Sequence, residues 1–283
     1  MKIIYIAGLY HTGSTLIDMM LGNLPNVIGL GEIFKGLNDK FEDRCSCGQS
    51  VKNCEFWGEI TKQLESETQL DLQAKYNLVV EKFIDKYEED TILVDSSKCH
   101  PFKLFSSKDE RGMQGLDYLI NMPDINIKVI HIVRDVRSWA NSLLIRDSKQ
   151  MKNLTFSKRL FMFIFRSAFA RFIQWYLGHK RIMKFLEKNK LEHIRISYED
   201  LAINTEDTFK SVSNFLGIEY SKSILIPSDT KSHIAVGNPM RFRDADIAKI
   251  KYDFRWFSSS RLFLPSLILK PIMRFNKKIT YSK

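Results

Sequence analysis

The stretch that most restricts what this chain can fold into runs from Lys2 to Leu21. An unbroken apolar run reaches Ala7, a loop follows as Gly8-Leu-Tyr-His-Thr-Gly-Ser-Thr15, and an apolar segment opened by hydroxyl residues runs on to Leu21. The first part reads as a buried strand and the last as a helix. Gly8 and Gly13 let the backbone turn sharply, so N–H groups converge where the helix begins, and such a terminus binds phosphate-like anions. The spacing Gly8-x4-Gly13 is that of a phosphate-binding Walker A loop, but Ser14 stands where its lysine would be. That lysine serves the β- and γ-phosphates of ATP. Its replacement points to a different donor.

Beyond this corner, strands and helices alternate. Pro25 to Gly31 reads as a short strand ending at Glu32, and residues 59–90 carry helical spacing among charges. Thr91 to Ser97 is a second strand entering a turn, with Lys98 immediately after it. Ile125 to Val133 is nearly all apolar, as in a parallel strand covered on both faces. Arg134-Asp135 ends it, and Val136 to Ile145 is the expected helix. A long helical stretch covers 157–188, Glu192 to Ser197 is a further strand, and Glu206 to Leu216 is a helix stopped by Gly217. The alternation predicts a single α/β domain, a P-loop-like parallel sheet with helices on both faces, over 1–253. Residues of about 36–58 read as an inserted loop. Residues 254–283 mix aromatics, leucines and basic side chains, a tail that packs on the domain or on an anionic membrane surface.

Charge narrows the ligand rather than the fold. The net charge of +10 suits an anionic ligand, a nucleic acid or an acidic membrane surface, but no run of lysines and arginines resembles a nucleic-acid arm. No apolar run reaches the roughly 18 residues of a membrane span, and the opening run is too short for a signal-peptide core. The expected compartment is therefore the cytoplasm, with peripheral contact at the inner membrane surface as a further option. Four cysteines are too few for a disulfide scaffold in 283 residues. Cys45, Cys47 and Cys54 cluster, but a structural zinc site takes four ligands, so free thiols are favoured over zinc or a disulfide, and no metal is expected.

Four short motifs then follow in order: His11-Thr-Gly-Ser-Thr15, Asp95-Ser-Ser-Lys98, Val133-Arg-Asp-Val-Arg-Ser-Trp-Ala-Asn-Ser142 and Ser197-Tyr-Glu-Asp-Leu201. Together they resemble the sulfotransferases that use 3′-phosphoadenosine 5′-phosphosulfate (PAPS), in the bacterial, carbohydrate and tyrosylprotein branch of their superfamily. The resemblance implies that His11, Thr12, Gly13, Ser14 and Thr15 cradle the 5′-phosphosulfate. It implies that Arg134 and Ser142 grip the 3′-phosphate and that Tyr198 lies near the adenine. Arg134 suits that task physically, since it stands at a strand's C-terminal end and its planar fork matches a phosphate. Ile234 to Arg241 resembles the late loop closing over the cofactor, with Asn238 and Arg241 as contacts.

For catalysis the resemblance makes Glu32 the general base and Lys98 the cation on the bridging oxygen or sulfonate. His11 stands where many relatives carry Arg or Lys. A neighbouring polyanion favours a protonated imidazole there, and activity would then fall at alkaline pH partly through His11. The implied reaction moves a sulfonate from PAPS to a hydroxyl of a carbohydrate, lipid-linked or small-molecule acceptor. It leaves adenosine 3′,5′-bisphosphate, with no metal and no nucleic acid involved. Two other readings stay open: a P-loop nucleotide or small-molecule kinase, with Asp95 as the Mg²⁺ carboxylate, and a non-catalytic nucleotide- or membrane-binding module.

Overall fold

The computed structural model describes residues 1–99, 113, 115–151, 167–225, 231–242 and 250–281. Its centre is β1 (Lys2–Ala7), whose side chains are almost all buried, as the apolar run requires. The chain turns through the glycine loop into α1 (Ser14–Leu21), then β2 (Val27–Gly31) and α2 (Ile33–Asn38). The segment read as an inserted loop holds more order than its polar composition suggested: the end of α2, a 3-10 turn at Val51–Asn53, and the start of α3 (Trp57–Ser66). The expected helix over 59–90 is two, because α4 (Leu72–Lys86) begins afresh at Asp71, whose carboxylate accepts from the Ala74 N–H at 2.8 Å.

Next come β3 (Ile92–Asp95), a single turn α5 (Leu116–Leu119), β4 (Asn126–Val133) and α6 (Val136–Met151). The long helix expected over 157–188 is described as α7 (Ala168–Lys188), and residues 157–166 lie outside the described residues. Then follow β5 (His193–Ser197), α8 (Tyr198–Ile203) and α9 (Thr205–Leu216), which ends at Gly217 in the left-handed region at φ 67°. Two short helices close the chain, α10 (Phe263–Ile268) and α11 (Lys270–Asn276).

All strand pairs are parallel, in the order β2-β3-β1-β4-β5. Successive residues point to opposite faces of a strand, and each face has its own core. Ile3, Tyr5, Val129 and Val133 pack with α3, α4, α6 and α7, whereas Ile4, Ile6, Ile130 and Ile132 pack with α1 and α9. Helices thus cover both faces, as the alternation predicted. Because every strand is parallel, all five C-terminal ends lie along one edge. β3 and β4 lie on opposite sides of β1, so the glycine loop opens where open α/β sheets hold ligands.

The tail packs on this body. The Asn276 side chain donates to Asp135 Oδ2 at 2.8 Å and accepts from the Val136 N–H at 2.8 Å, and the Tyr281 hydroxyl donates to the same carboxylate at 2.8 Å. No described helix is long and apolar enough to cross a membrane.

Candidate active site

Each predicted motif begins where a strand stops. At the end of β1 the loop presses on β4: a Cβ on Gly8 would lie 2.6 Å from Ile132 Cγ2, so no larger residue fits. Gly13, at φ 102°, turns the chain into α1, whose first turn carries no acid. The Thr12 hydroxyl donates to the Leu9 carbonyl at 2.6 Å, and Thr15 Oγ1 accepts from the Asn238 N–H at 3.2 Å. The Ser14 hydroxyl is buried and has no hydrogen-bond partner. An orphaned hydroxyl at a helix N-terminus is what an anion cradle requires.

Arg134, just past β4, closes one side of that cradle. Its Nη1 donates to the His11 carbonyl at 2.7 Å, its Nε to Ser138 Oγ at 2.9 Å, and its Nη2 to Asp253 Oδ2 at 2.5 Å. The Tyr198 ring lies under the guanidinium, 4.6 Å from centroid to Cζ, and a Cβ on Gly13 would lie 3.0 Å from its edge. Loop, Arg134 and Tyr198 therefore form one contiguous surface. Ser142 is buried on α6 and donates to the Trp139 carbonyl of its own helix at 2.7 Å. The hydroxyl on the guanidinium is that of Ser138. Asp253 was not foreseen either; burial works against its charge, but Arg255 and Arg134 hold its carboxyl below the usual range.

On the other side of the loop lies a cleft of about 290 Å³, lined by Tyr10, His11, Glu32, Lys98, Arg146 and Asn238 among others. Glu32 follows β2 and Lys98 follows β3, and Lys98 Nζ donates to Glu32 Oε1. Glu32 stands at the N-cap position of α2, yet its carboxylate makes no capping bond; its N–H donates to the Val236 carbonyl at 2.9 Å. Behind the pair, Asp18 Oδ2 accepts from the Ser96 hydroxyl at 2.6 Å and from the Gly31 N–H at 3.2 Å. Asp18 thus ties together the two backbones that present Glu32 and Lys98. Burial pushes its carboxyl up to about 7.

The protein's own groups do not favour a protonated imidazole at His11. Burial first, then Arg146, Lys98 and Arg134, push it down to about 4, so the ring is neutral near pH 7 in these surroundings. Beside it stands Arg146, whose Nη1 lies 3.3 Å from His11 Nε2. Sequence reasoning missed Arg146 by seeking the cation in the loop; the available signal was its place on α6, three turns beyond Arg134. Arg241 does not line the cleft. Its buried guanidinium donates to Glu42 Oε2 at 2.5 Å and to the Gly237 carbonyl at 2.7 Å, joining the late loop to the segment after α2. The structure thus brings His11, Glu32, Lys98 and Asn238 into one cleft and Arg134 and Tyr198 onto the loop.

The model of the sulfotransferase family matches residues 4–222, a span reaching from β1 past α9. The chain belongs to the sulfotransferase family. Two solved structures agree on the fold. The sulfotransferase domain of the Synechococcus PCC 7002 olefin synthase superposes with a TM-score of 0.55 at 17% identity, over 97% of this chain and 94% of that one. The sulfotransferase domain from the curacin biosynthetic pathway gives a TM-score of 0.55 at 19% identity, over 95% and 97%. A mouse sulfotransferase, SULT7A1, solved in complex with PAP, gives 0.49 at 11% identity, over 98% and 84%. No curated protein matches the sequence. This sulfotransferase is therefore an α/β enzyme of sulfonate transfer.

Proposed function

We propose that this sulfotransferase moves the sulfonate of PAPS onto a hydroxyl of a carbohydrate-like acceptor, with Glu32 as the general base. The observation that carries the reading is the Glu32–Lys98 ion pair at the floor of the cleft, beside the anion-binding loop. The loop backbone from Thr12 to Thr15 and the unpartnered Ser14 hydroxyl hold the 5′-phosphosulfate. Arg134, with Ser138 and the Tyr198 ring, takes the 3′-phosphate in place of the Asp253 carboxylate.

Glu32 takes the proton of the acceptor hydroxyl as the acceptor oxygen bonds to sulfur. The bond from sulfur to the bridging oxygen breaks, and its electron pair stays on the phosphate. Lys98 leaves Glu32 for that oxygen, which frees the carboxylate to act and neutralises the leaving group. Arg146 supplies further positive charge on the sulfonate, and His11 Nε2 accepts from it. The cleft wall from Lys35 to Asp39 carries Lys35, Asn38 and Asp39, polar groups suited to an acceptor with several hydroxyls.

The test is transfer of [³⁵S]sulfonate from PAPS to a panel of hydroxylated sugars, glycolipids and phenols without added Mg²⁺. A labelled product with wild type, and loss of about 10²–10⁴-fold in turnover for Glu32→Gln, is the expected outcome. Full turnover in Glu32→Gln would remove the glutamate base, and phosphate transfer from ATP in a parallel assay with Mg²⁺ would replace the reaction class.

A further inference from the structure

Residues 44–57, which the candidate site does not use, fold into a tight turn. Arg44 and Ser50 form an antiparallel bridge, the Cys45 N–H donates to the Gln49 carbonyl at 2.9 Å, and the Gly48 N–H donates to the Cys45 carbonyl at 3.1 Å. Gly48, at φ 90°, allows the turn, and the 3-10 turn at Val51–Asn53 brings Cys54 back to it. The late loop enters from the opposite side. The Ser46 hydroxyl donates to the Ser232 carbonyl at 2.8 Å, and Trp57 Nε1 donates to the His233 carbonyl at 2.6 Å.

The result is a cluster of four side chains. Cys54 Sγ lies 3.7 Å from Cys45 Sγ, 3.8 Å from Cys47 Sγ and 3.2 Å from His233 Nδ1. The four ligand atoms all lie within 4.8 Å of one another. A zinc tetrahedron with Zn–S bonds of about 2.3 Å has sulfur–sulfur edges of about 3.8 Å. A disulfide would need about 2.05 Å and would leave one of the three sulfurs unpaired.

We infer that Cys45, Cys47, Cys54 and His233 Nδ1 hold one Zn²⁺ in a closed structural site.

The surroundings fit that metal. His233 Nε2 lies 3.2 Å from Glu55 Oε1, which places the ring proton on Nε2 and leaves the Nδ1 lone pair for zinc. The backbone N–H groups of Cys47 and Gln49 face the sulfurs of Cys45 and Cys47, and those of Phe56 and Trp57 face Cys54, the bonds that thiolate ligands accept. Three sulfurs and an imidazole select zinc over magnesium or calcium, and four protein ligands leave no position for substrate. As the Zn–S bonds form, the three thiols release their protons to solvent, with no change of oxidation state. The expectation of no metal counted three ligands; the fourth comes from 179 residues after Cys54, where sequence spacing gives no signal.

The site would staple the late loop to the rim of the catalytic cleft. From His233 the chain runs to Val236, whose carbonyl accepts from the Glu32 N–H, and to Asn238, whose N–H donates to Thr15.

The full chain, expressed with zinc and purified under reductant, should carry about one zinc per chain by plasma emission spectrometry. A mercurial reagent should release it. Cobalt should replace it with thiolate-to-metal absorption and tetrahedral d–d bands. His233→Cys keeps four ligands and should retain zinc while intensifying the cobalt–thiolate bands. Cys99→Ser, outside the cluster, should change nothing. A folded wild-type chain with four free thiols that takes up neither zinc nor cobalt would overturn the site. So would a Cys45–Cys54 disulfide formed in place of metal, or a cobalt spectrum that His233→Cys leaves unaltered.

Discussion

A guanidinium presents a planar fork of donors, and each of the three nitrogens of Arg134 makes one bond: to Ser138, to the His11 carbonyl and to the Asp253 carboxylate. The first two orient the group; the third occupies the edge that a 3′-phosphate would take. Two outcomes follow at this scale. Arg134→Ala should weaken binding of adenosine 3′,5′-bisphosphate by about 10–100-fold, since a hydrogen bond to a charged group contributes about 1.5–3 kcal/mol. Asp253→Asn should tighten it by up to about tenfold, because a competing charge is removed while the side-chain shape is kept. Titration calorimetry reads both, and a weaker Asp253→Asn complex would show that this carboxylate supports the site instead of competing for it. The same scale separates what sequence could show from what it could not. Arg134, Glu32 and Lys98 were singled out through the motifs that resemble the family's, and the fold places them just past the ends of β4, β2 and β3. Ser138, four residues after Arg134, and Arg146, further along α6, had helical spacing as their signal and were missed; Asp253 and His233 were not legible, because each joins Arg134 or the cysteine cluster through a fold contact that no local spacing encodes.

At the scale of elements, the strand ends are joined from behind by α1. Asp18, on its buried face, receives Ser96 and Gly31 and so fixes the exits of β3 and β2 relative to each other. Its folded value of about 7 lies above the ordinary 3.8. Between those values the folded chain holds a proton that the unfolded chain has released, so this group's contribution to stability falls as pH rises from about 4 to 7. Asp18→Asn keeps the acceptor oxygen and removes the ionisation. Its melting temperature should therefore fall less than that of wild type over that window, and parallel curves would contradict the buried proton. The elements most legible from sequence were those with strong apolar runs, β1 and β4. The segment after α2 was not, because its order comes from packing on the late loop through Ser46, Trp57 and Arg241. The tail was half legible. Its contacts through Asn276 and Tyr281 fix it to Asp135, while Phe263, Leu264, Leu267 and Ile268 remain exposed beside basic residues. If that face meets an anionic membrane, anionic vesicles should sediment the chain at low salt, and Phe263→Ser with Leu267→Ser should abolish it. No sedimentation of wild type would leave the tail a packing element alone.

At the scale of the molecule, five parallel strands deliver a glycine loop, a carboxylate, two cations and an aromatic ring to one edge of a sheet, with helices on both faces to hold it rigid. Family membership fixes sulfonate transfer; the donor rests on how the glycine loop and Arg134 together meet a nucleotide with phosphates on both sides of its ribose. The most direct measurement is calorimetric titration of adenosine 3′,5′-bisphosphate into the chain without added Mg²⁺, run beside 5′-AMP and beside Arg134→Ala. The account predicts binding of about one nucleotide per chain without added Mg²⁺, weaker by about 10–100-fold for 5′-AMP and for Arg134→Ala. Equal affinity for the two nucleotides, or an unchanged complex in Arg134→Ala, would contradict it.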